Sequence, residues 1–455
     1  MTKVTIGVVL FSLAIPGQAV SEDPIALNNR LEFFIDDYLI AEMRGDVCQQ
    51  LQRPDPKEVV FVADQPWEGN TSGYYTLFQD GQLYRMIYRG WQHDQDQNAV
   101  HPEATCYAES KDGIHWTRPE VGLFEWDGSK ENNIVWLGKG SHNFTAFLGG
   151  NPAAPPEARY KALGGGSTGL LAFQSPDCIH WEPIQEDPVI TNGTFDSQNL
   201  AFWDSERGHY RAYWRYFTKG NFDGFRAIRT ATSQDFIHWD CEADLTYTEG
   251  TPAEHLYTNA VQEYFRAPHL FIGFPTRYLP KQGQRVEPLL MSSRCGVHFH
   301  RWPDPVIPEE APADRKGNRS NYMTWGMFQL PGQPSEISVY ATENYYESTP
   351  GRVRRFAYRL DGFVALHGGR DGGTVTTKPL CVEGRLLLNY QVRSGGSLQL
   401  EVVSLSGDLL GRSNLLTGDA IDQPVAWELE PDLGEEVVQL RFSLKNADLF
   451  SLRFD

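Results

Sequence analysis

Cysteine is scarce in this sequence of 455 residues, and the six cysteines lie far apart. Their positions are Cys48, Cys106, Cys178, Cys241, Cys295 and Cys381. No pair has the C-x-x-C spacing of a common zinc site, which argues against a zinc-ribbon protein. Six cysteines are also too few for a fold built on disulfides, although one or two bridges are compatible with an exported protein.

Positive charge is scarce as well. The sequence has 40 Lys and Arg against 59 Asp and Glu, which gives a formal net charge of −19 at pH 7. A chain this acidic does not attract nucleic acid or anionic lipid through general electrostatics, so neither is expected as a partner. A polyanionic substrate would need a local basic pocket. Hydrophobic residues reach 40%, which together with the length allows large cores in two or three domains.

Long apolar runs are missing except at the N-terminus. There, Lys3 precedes an apolar run over residues 6–15, and Pro16-Gly17-Gln18-Ala19 has the small residues of a cleavage site. The run is too short to cross a bilayer, so the pattern predicts a signal peptide over residues 1–19. A buried N-terminal strand is the alternative, which the charged start and the Pro-Gly break disfavour. We therefore expect an exported protein, periplasmic or extracellular, without membrane insertion after signal removal.

The motifs of several enzyme classes are absent too. The sequence has no P-loop and no H-E-x-x-H metal motif. Gly164-Gly165-Gly166 follows a predicted strand, but no helix follows it, so this segment is not expected to bind phosphate. No cofactor is expected. A structural calcium is compatible with the sequence, although no dedicated calcium loop is present.

The sequence does contain a long internal repeat. Four segments carry a short turn followed by His-Trp or a close variant, and a weaker fifth copy follows; they span residues 109–116, 174–181, 232–239, 292–299 and 358–364. The anchor positions 112, 177, 235, 295 and 361 are 65, 58, 60 and 66 residues apart. Such a spacing holds four strands and their loops, which is the content of a propeller blade. The repeat therefore predicts an all-β fold with a five-bladed β-propeller, in a catalytic domain over residues 20–365.

Each copy of the repeat has the same local chemistry. A short strand is followed by a Ser-x-Asp-Gly turn or its variant, in which Asp bonds the backbone and Gly tolerates a positive φ. The Trp that follows is expected to pack between adjacent sheets. Because four histidines recur at one place in the repeat, we interpret them as structural rather than catalytic; they are His115, His180, His238 and His298.

The repeat stops after Asp361. Short alternating strands separated by Gly-containing turns follow, and they predict a C-terminal β-sandwich over residues 366–455. Ahead of the first blade, the apolar segment Phe33–Ile40 is a candidate for the strand that completes the propeller ring.

Polar residues recur where the inner strand of each blade is expected to begin, about 35–45 residues before each turn anchor. Three of them are carboxylates, and we propose them as catalytic: Glu68, Asp196 and Glu254. Glycoside hydrolysis needs one carboxyl as general acid and another as nucleophile or base, and a third can tune a neighbour's pKa. The alternative is that each carboxylate caps a turn or pairs with an arginine. Glu336 and Glu343, on a later strand of blade five, are further candidates.

Other residues near these carboxylates are candidates for sugar binding. Amides and imidazoles hydrogen-bond hydroxyl groups, and aromatic rings stack on sugar faces. Arginines that face the channel would favour a carboxylated or sulfated sugar, whereas arginines paired with acidic neighbours would be structural. The candidates are Asn70, His142, Asn143, Gln198, Asn199, His255, Tyr257, Asn259, Arg215, Arg266 and Arg277.

The turns and inner segments resemble the five-bladed glycoside hydrolases of families 32 and 43, and the added sandwich resembles the family 32 layout. More closely, the chain resembles a group of exported propeller proteins from planctomycete-type bacteria that look like glycosyl hydrolases. The segments that carry the likeness are Trp67–Thr71, His142–Phe144, Phe195–Asn199, Glu254–Ala260 and Ala447–Ser451. The W-x-N-D-P-N, R-D-P and E-C motifs of family 32 are absent in that form, and Glu68 stands where family 43 has an Asp. The resemblance thus implies a shared fold with different catalytic residues and substrate.

The sequence as a whole predicts an exo-acting glycoside hydrolase of a plant or algal oligosaccharide or polysaccharide, which acts by carboxylate acid/base chemistry in the central pocket. That function requires two carboxylates across the pocket. A non-catalytic carbohydrate-binding propeller is the main alternative, and it would show aromatic and amide groups without such a pair. A structural or protein-interaction propeller would show a large exposed apolar patch and a plugged channel.

Overall fold

The computed structural model describes residues 23–166, 168–308, 320–433 and 436–455. The predicted signal peptide lies outside these residues. Regular structure in the described chain is β-strand apart from one short 3-10 turn, Pro156–Ala158. The described residues contain no helix that is long and apolar enough to cross a membrane. The prediction of an all-β fold with a five-bladed propeller is confirmed.

Three complete blades follow one another as four-stranded antiparallel sheets, with the first strand of each next to the first strands of its neighbours. Blade 1 contains Gly73–Asp80, Leu83–Gly90, Ala104–Ser110 and Trp116–Thr117, and Ile134–Leu137 pairs with its third strand. Blade 2 contains Thr145–Leu148, Tyr160–Gly166, Gly169–Ser175 and Glu182–Pro183. Blade 3 contains Leu200–Asp204, His209–Phe217, Arg226–Ser233 and Asp240–Asp244.

The last two blades are less regular. Blade 4 contains Gln262–Tyr264, Ala267–Gly273, Met291–Ser293 and His298–Arg301, with Thr246–Tyr247 parallel to the last of these. A ribbon leaves it between the second and third strands, formed by Thr276–Leu279 and Arg285–Pro288. Blade 5 contains Glu336–Glu343, Arg352–Arg359 and Asp55–Val62. Isolated bridges at Met323 and Phe328 give blade 5 an irregular inner strand.

The ring is closed by a strand from the N-terminal side of the chain. Asp55–Val62 pairs with Arg352–Arg359 and supplies the outer strand of blade 5. The expectation that Phe33–Ile40 does this is wrong, since Glu32–Phe33 pairs instead with the last strand of the chain. The physical reason is that Phe34 and Leu39 are buried in the core of the C-terminal sheet, which leaves ring closure to the next segment.

The C-terminal residues form a large bent sheet, as the predicted sandwich requires. Its strands are Val364–Thr377, Leu380–Cys381, Leu386–Ser404, Leu409–Ser413, Asp419–Pro424, Trp427–Leu429 and Val437–Phe454. Three N-terminal strands join them, namely Ile25–Ala26, Glu32–Phe33 and Ile40–Leu51. Register breaks in the longest strands let one sheet bend over its own core. The division of the chain at residues 365 and 366 stays a prediction.

The repeated turn links the third and fourth strands of blades 1 to 3. In blade 2, the Ser175 hydroxyl accepts the N–H of Cys178 at 2.9 Å. One oxygen of Asp177 accepts the N–H groups of Ile179 and His180, at 2.9 and 2.8 Å, and the other lies 2.7 Å from His180 Nδ1. The same 2.7 Å contact joins the Asp and His of the other two turns. The structural interpretation of these histidines is therefore supported by their contacts.

The fourth and fifth copies depart from this turn. In the fourth copy, Cys295 replaces the aspartate, and its Sγ accepts the N–H of His298 at 3.3 Å. In the fifth, Asp361 is buried and is held by the Tyr264 hydroxyl and by Arg266 at 3.1 Å. All six cysteines of the chain are free thiols in the structure.

Candidate functional site

A cavity of about 350 Å³ opens at one end of the propeller. Because blade strands are antiparallel, the first strand begins, the second ends and the third begins at the same end of a blade. The cavity is lined by residues from these positions in blades 1, 2, 3 and 5, together with the ribbon of blade 4. Its volume lies in the range of about 300–1,000 Å³ that is typical of small-ligand pockets.

One histidine in this cavity lies between two carboxylates. His142 Nδ1 is 2.9 Å from both oxygens of Glu103, and Nε2 is 3.4 Å from Asp196 Oδ1. The Glu103 side chain is 12% exposed, whereas that of Asp196 is 62% exposed and faces the cavity. His142 and Asp196 precede the inner strands of blades 2 and 3, and Glu103 precedes the third strand of blade 1.

These contacts set the charge of the three groups. The hydrogen bond from His142 lowers the pKa of Asp196 to about 2. Burial acts to raise the pKa of Glu103, but His142 and Arg89 outweigh it and the pKa is lowered. Burial also acts to lower the pKa of His142, but its bonds to Asp196 and Glu103 outweigh it and the pKa is raised. At neutral pH both carboxyls are ionised, and His142 holds a proton more readily than an ordinary histidine.

Asn143 gives this histidine a second hydrogen-bonding state. Arg89 donates to Asn143 Oδ1 at 2.8 Å, so the amide nitrogen of Asn143 faces His142 Nε2 at 3.1 Å. Neutral His142 can keep its proton on Nδ1 for Glu103 and accept from Asn143 with Nε2. Protonated His142 instead directs an Nε2–H toward Asp196. The ring can therefore take up and release a proton in one position.

Three arginines surround the cavity. Arg89 is 3% exposed, and it donates to the Thr71 carbonyl at 2.9 Å and to the Tyr345 hydroxyl at 2.7 Å. The guanidinium of Arg226 lies 4.6 Å from the ring of Tyr278, and that of Arg215 lies 4.7 Å from the ring of Tyr257. Neither Arg215 nor Arg226 has an ion-pair partner within 4.0 Å among the residues that the structure describes.

Aromatic side chains make up most of the remaining wall. They are Tyr74, Trp91, Tyr257, Tyr278, Tyr322, Tyr345 and Tyr346. Tyr74 sits at a register shift between Gly73 and Thr76 with a φ of 53°, and such a bulge re-aims a side chain. Burial raises the pKa of Tyr74 and of Tyr345, so both phenols stay protonated. The wall can stack on a sugar face and offer hydroxyl groups to it.

The structure brings Asp196, His142 and Tyr257 of the predicted site together in this cavity. It places Glu68 elsewhere: this buried carboxylate is held by Arg118 at 2.8 Å and by the Tyr88 hydroxyl at 2.5 Å. Glu254 is held by Arg277 at 3.2 Å and by Arg301 at 3.3 Å. Neither carboxylate is among the described residues that line the cavity. The assignment of these two residues as catalytic stays a prediction.

Most of the predicted amides support the inner segments by bonding backbone groups. Gln198 donates to the Tyr75 carbonyl, Asn199 to the carbonyls of Phe195 and Ser197, and Asn259 to those of Gln198 and Tyr213. The hydrogen bonds that these side-chain amides donate therefore go to the backbone of the propeller.

The other predicted binding residues lie around the cavity or away from it. Arg215 and Asn143 are next to it, and His255 accepts the backbone N–H of Arg226 at 3.2 Å. Arg266 is paired with Asp361 and Asp422, at 3.1 and 3.0 Å.

The alternative carboxylates of blade 5 are also paired with basic residues. Glu343 is buried and is held by Arg352 at 2.6 Å and Arg354 at 2.7 Å. Glu336 is held by Lys57 at 3.1 Å. Neither is among the described residues that line the cavity.

The sequence reasoning missed Glu103, Arg226 and Tyr345. None of them lies before an inner strand: Glu103 precedes a third strand, Arg226 begins one, and Tyr345 follows a second strand. The signal that could have found them is topological. Antiparallel pairing places these positions at the same end as the start of the inner strand.

A second cavity of about 590 Å³ adjoins the first, because Tyr345 and Tyr346 line both. Its other walls are mostly amide and acidic, with Asn70, Gln92 and Asp94 among them. Asn70 is anchored there by the carbonyls of His93 and Glu347, at 3.1 and 2.8 Å. Among the described residues, no group of three or more His, Cys, Asp or Glu side chains could hold a metal ion.

Comparison of the sequence with protein-family models found no match, and comparison with curated proteins found none. Solved structures do resemble the chain. One is the endo-arabinase from Bacteroides thetaiotaomicron, at 10% identity over 66% of this chain and 98% of that one, with a TM-score of 0.43. Another is an N-acetylgalactosamine deacetylase from F. plautii in complex with blood group B trisaccharide, at 11% identity over 69% and 96%, with a TM-score of 0.46.

A family GH32 β-fructofuranosidase of Bombyx mori is similar over more of the chain, at 9% identity over 87% of this chain and 94% of that one, with a TM-score of 0.43. Proteins named as glycoside hydrolases are thus among the solved structures to which the chain is similar.

Proposed function

We propose that the chain is a glycoside hydrolase of a plant or algal oligosaccharide or polysaccharide, and that the 350 Å³ cavity is its active site. The observation that carries the proposal is the row formed by Glu103, His142 and Asp196. It places an ionised carboxylate at the cavity surface beside a histidine with a raised pKa. Perturbed groups gathered in a concave site are typical of catalytic centres.

In this proposal, Asp196 and His142 have different roles. Asp196 faces the sugar ring and stabilises the positive charge that develops at the anomeric carbon as the glycosidic bond breaks. His142, when protonated, donates its Nε2 proton to the leaving oxygen; a water molecule then bonds to the anomeric carbon and gives a proton back to His142, which completes the hydrolysis. Glu103 is a positioning residue, since it holds the imidazole through Nδ1 at 2.9 Å and favours its protonated form.

The walls of the two cavities support a substrate longer than one sugar. Tyr345 and Tyr346 separate the aromatic cavity from the amide-lined one, so neighbouring sugar units can lie on either side of them. Aromatic faces and amide groups suit the apolar faces and hydroxyl groups of sugars.

We also propose that the protein is exported, periplasmic or extracellular, and that its mature chain begins after Ala19. N-terminal sequencing of protein recovered outside the cytoplasm would test this, and recovery of an intact Met1 there would contradict it.

A non-catalytic carbohydrate-binding propeller is the second candidate. It is favoured by one observation: Asp196 is the only carboxylate among the described residues that line the cavity. The usual hydrolase arrangement has two carboxylates about 5–9.5 Å apart. The binding function would use the same aromatic wall, with Asp196 and His142 as hydrogen-bonding partners of the sugar.

Hydrolysis of a panel of aryl glycosides and polysaccharides tests the proposal. Wild type is expected to release sugar from at least one member, and Asp196→Asn is expected to lose at least about a hundredfold in kcat/KM. Glu68→Gln and Glu254→Gln test the two carboxylates outside the cavity. Asp187→Asn, an exposed aspartate of blade 2, is the matched control and should leave the rate unchanged.

The outcomes separate the two functions. Cleavage by wild type that survives in Asp196→Asn but is lost in Glu68→Gln or Glu254→Gln would move the active site away from this cavity. Binding of a panel member without turnover by wild type would favour the carbohydrate-binding function.

A further inference from the structure

The charge of the cavity is opposite in sign to that of the whole chain. The sequence carries a formal charge of −19. Around the cavity, however, three guanidinium groups face one lining carboxylate, that of Asp196. Glu103 lies 3.8 Å from Arg89 and offsets part of this charge, but the two carboxylates still leave one of the three guanidinium groups unmatched. The cavity is thus a local basic site in an acidic protein.

Arg226 carries this surplus of charge at the cavity wall. It is the first residue of the third strand of blade 3, and its guanidinium lies between the rings of Tyr278, Tyr257 and Phe217, at 4.6, 5.5 and 5.1 Å. Its Nε is buried and has no hydrogen-bond partner among the described residues. Aromatic rings attract and orient a guanidinium, but they carry no net negative charge and leave the Arg226 Nε–H without a hydrogen-bond acceptor.

The two other arginines add to the positive potential without competing for a ligand. Arg215 is 4% exposed and donates its Nε–H to the Thr194 carbonyl at 3.2 Å. Arg89 bonds neutral oxygens, and its nearest described carboxylate is Glu103 at 3.8 Å. Each of the two has a carboxylate nearby, Glu103 for Arg89 and Asp196 for Arg215, so the charge left to pair with an anionic ligand is that of Arg226.

We propose that the sugar in this cavity carries an anionic group, a carboxylate or a sulfate, which Arg226 binds. The inference rests on the proposed function of the site. A guanidinium presents a planar set of donors that matches the oxygens of a carboxylate or sulfate group, and the bond is charge-assisted. Arg226 is then a specificity-determining residue, since a neutral sugar leaves its N–H groups and charge unmatched.

The test is a set of binding measurements by titration calorimetry in the Asp196→Asn variant, which lacks the carboxylate proposed for catalysis. The probes are paired oligosaccharides: uronic-acid oligomers with their carboxyl-reduced forms, and sulfated galactan oligomers with their desulfated forms. The acidic member of at least one pair is expected to bind about tenfold or more tightly than its neutral form. This preference should weaken as salt rises. The pair that shows it identifies carboxylate or sulfate as the ligand group.

Two further variants locate the preference. Arg226→Met in the same background is expected to remove the difference between the acidic and neutral forms. Arg229→Met is the matched control, because Arg229 lies on the same strand but is paired with Asp244 at 2.6 Å and Glu242 at 3.3 Å. It should retain the preference.

Equal or absent binding of both members of every pair would overturn the inference, as would equal weakening of acidic and neutral forms by Arg226→Met. These results are distinguishable from failure of the hydrolase proposal. Cleavage of neutral glycosides at the same rate by wild type and Arg226→Met would leave the hydrolase standing and overturn the anionic site. An acid preference that depends on Arg226, in a protein that cleaves nothing, would support the anionic site alone.

Discussion

At the scale of single residues, His142 connects two carboxylates that come from different segments of the chain. Its Nδ1 meets Glu103 and its Nε2 meets Asp196 and the amide of Asn143. Glu103 and Asn143 are buried or nearly so, which fixes the ring. The exposed Asp196 is left as the group that a substrate meets first. The proposed proton transfer needs both features: Glu103 holds the imidazole in place, and Asp196 remains accessible to the substrate.

The pH dependence of hydrolysis should reflect the ionisation of Asp196 and His142. Asp196, with a pKa of about 2, stays ionised throughout the usual acidic range, so the acidic limb should lie at very low pH. His142 must be protonated to donate, so kcat/KM should fall as pH rises through its raised pKa, above 6.5. Glu103→Gln removes a carboxylate that favours the protonated ring and should move this limb to lower pH. The pH profile of kcat/KM, measured for both proteins, checks this.

His300→Gln serves as the control for that profile, because His300 lies in blade 4 outside the cavity. An alkaline limb that stays in place in Glu103→Gln would mean that His142 is not the titrating donor. A uniform loss of rate at all pH values, without movement of the limb, would show that Glu103 only supports the local structure.

Asp196, His142 and Tyr257 could be found from the sequence because they lie in the segments that precede inner strands. Glu68 lies in such a segment too, but Arg118, 50 positions further along the chain, engages it. A sequence does not reveal that pairing, since the arginine comes from the far end of the same blade and meets the glutamate only after the sheet has formed. The same holds for Glu254 and the two arginines of blade 4.

At the scale of structural elements, the repeated turn is the feature that the sequence predicted best. The contacts of the turn join residues at most three positions apart. The same Ser and Asp residues therefore form the same turn in blades 1 to 3. The residue after the aspartate has a positive φ in each of these copies, 74° at Gly113, 71° at Cys178 and 69° at Phe236. Cysteine and phenylalanine thus occupy a position where glycine was expected, held there by the Ser and Asp side chains.

Removal of the buried serine should therefore destabilise the turn. Ser175→Ala takes away the acceptor of the Cys178 N–H, which is buried, and should lower the free energy of unfolding by about 1–3 kcal/mol. Ser394→Ala, at an exposed position of the C-terminal sheet, is the control and should be near neutral. Thermal unfolding followed by circular dichroism measures both. A Ser175→Ala midpoint equal to that of wild type would contradict the role given to the turn.

At the scale of the whole molecule, the ends of the chain are tied together in a way that no local pattern indicated. Ile40–Leu51 pairs with Val364–Thr377, and Asp55–Val62 closes blade 5. Buried Glu32 joins this N-terminal region to blade 4 through His269 at 3.1 Å and Arg294 at 2.9 Å. Pairing of strands about 300 positions apart depends on which apolar faces remain to be covered, and the sequence alone does not show which pairing covers them best.

The closed ring brings together, on one face of the propeller, the starts of first and third strands and the ends of second strands from several blades. Residues at these strand ends line the cavity. We propose that a sugar is cleaved there, beside Asp196. A crystal structure of Asp196→Asn with the oligosaccharide that wild type cleaves tests it most directly. We expect the sugar in the 350 Å³ cavity, with its anomeric carbon next to residue 196 and its leaving oxygen next to His142. A sugar bound instead against Glu68 or Glu254, with the cavity empty, would contradict the account.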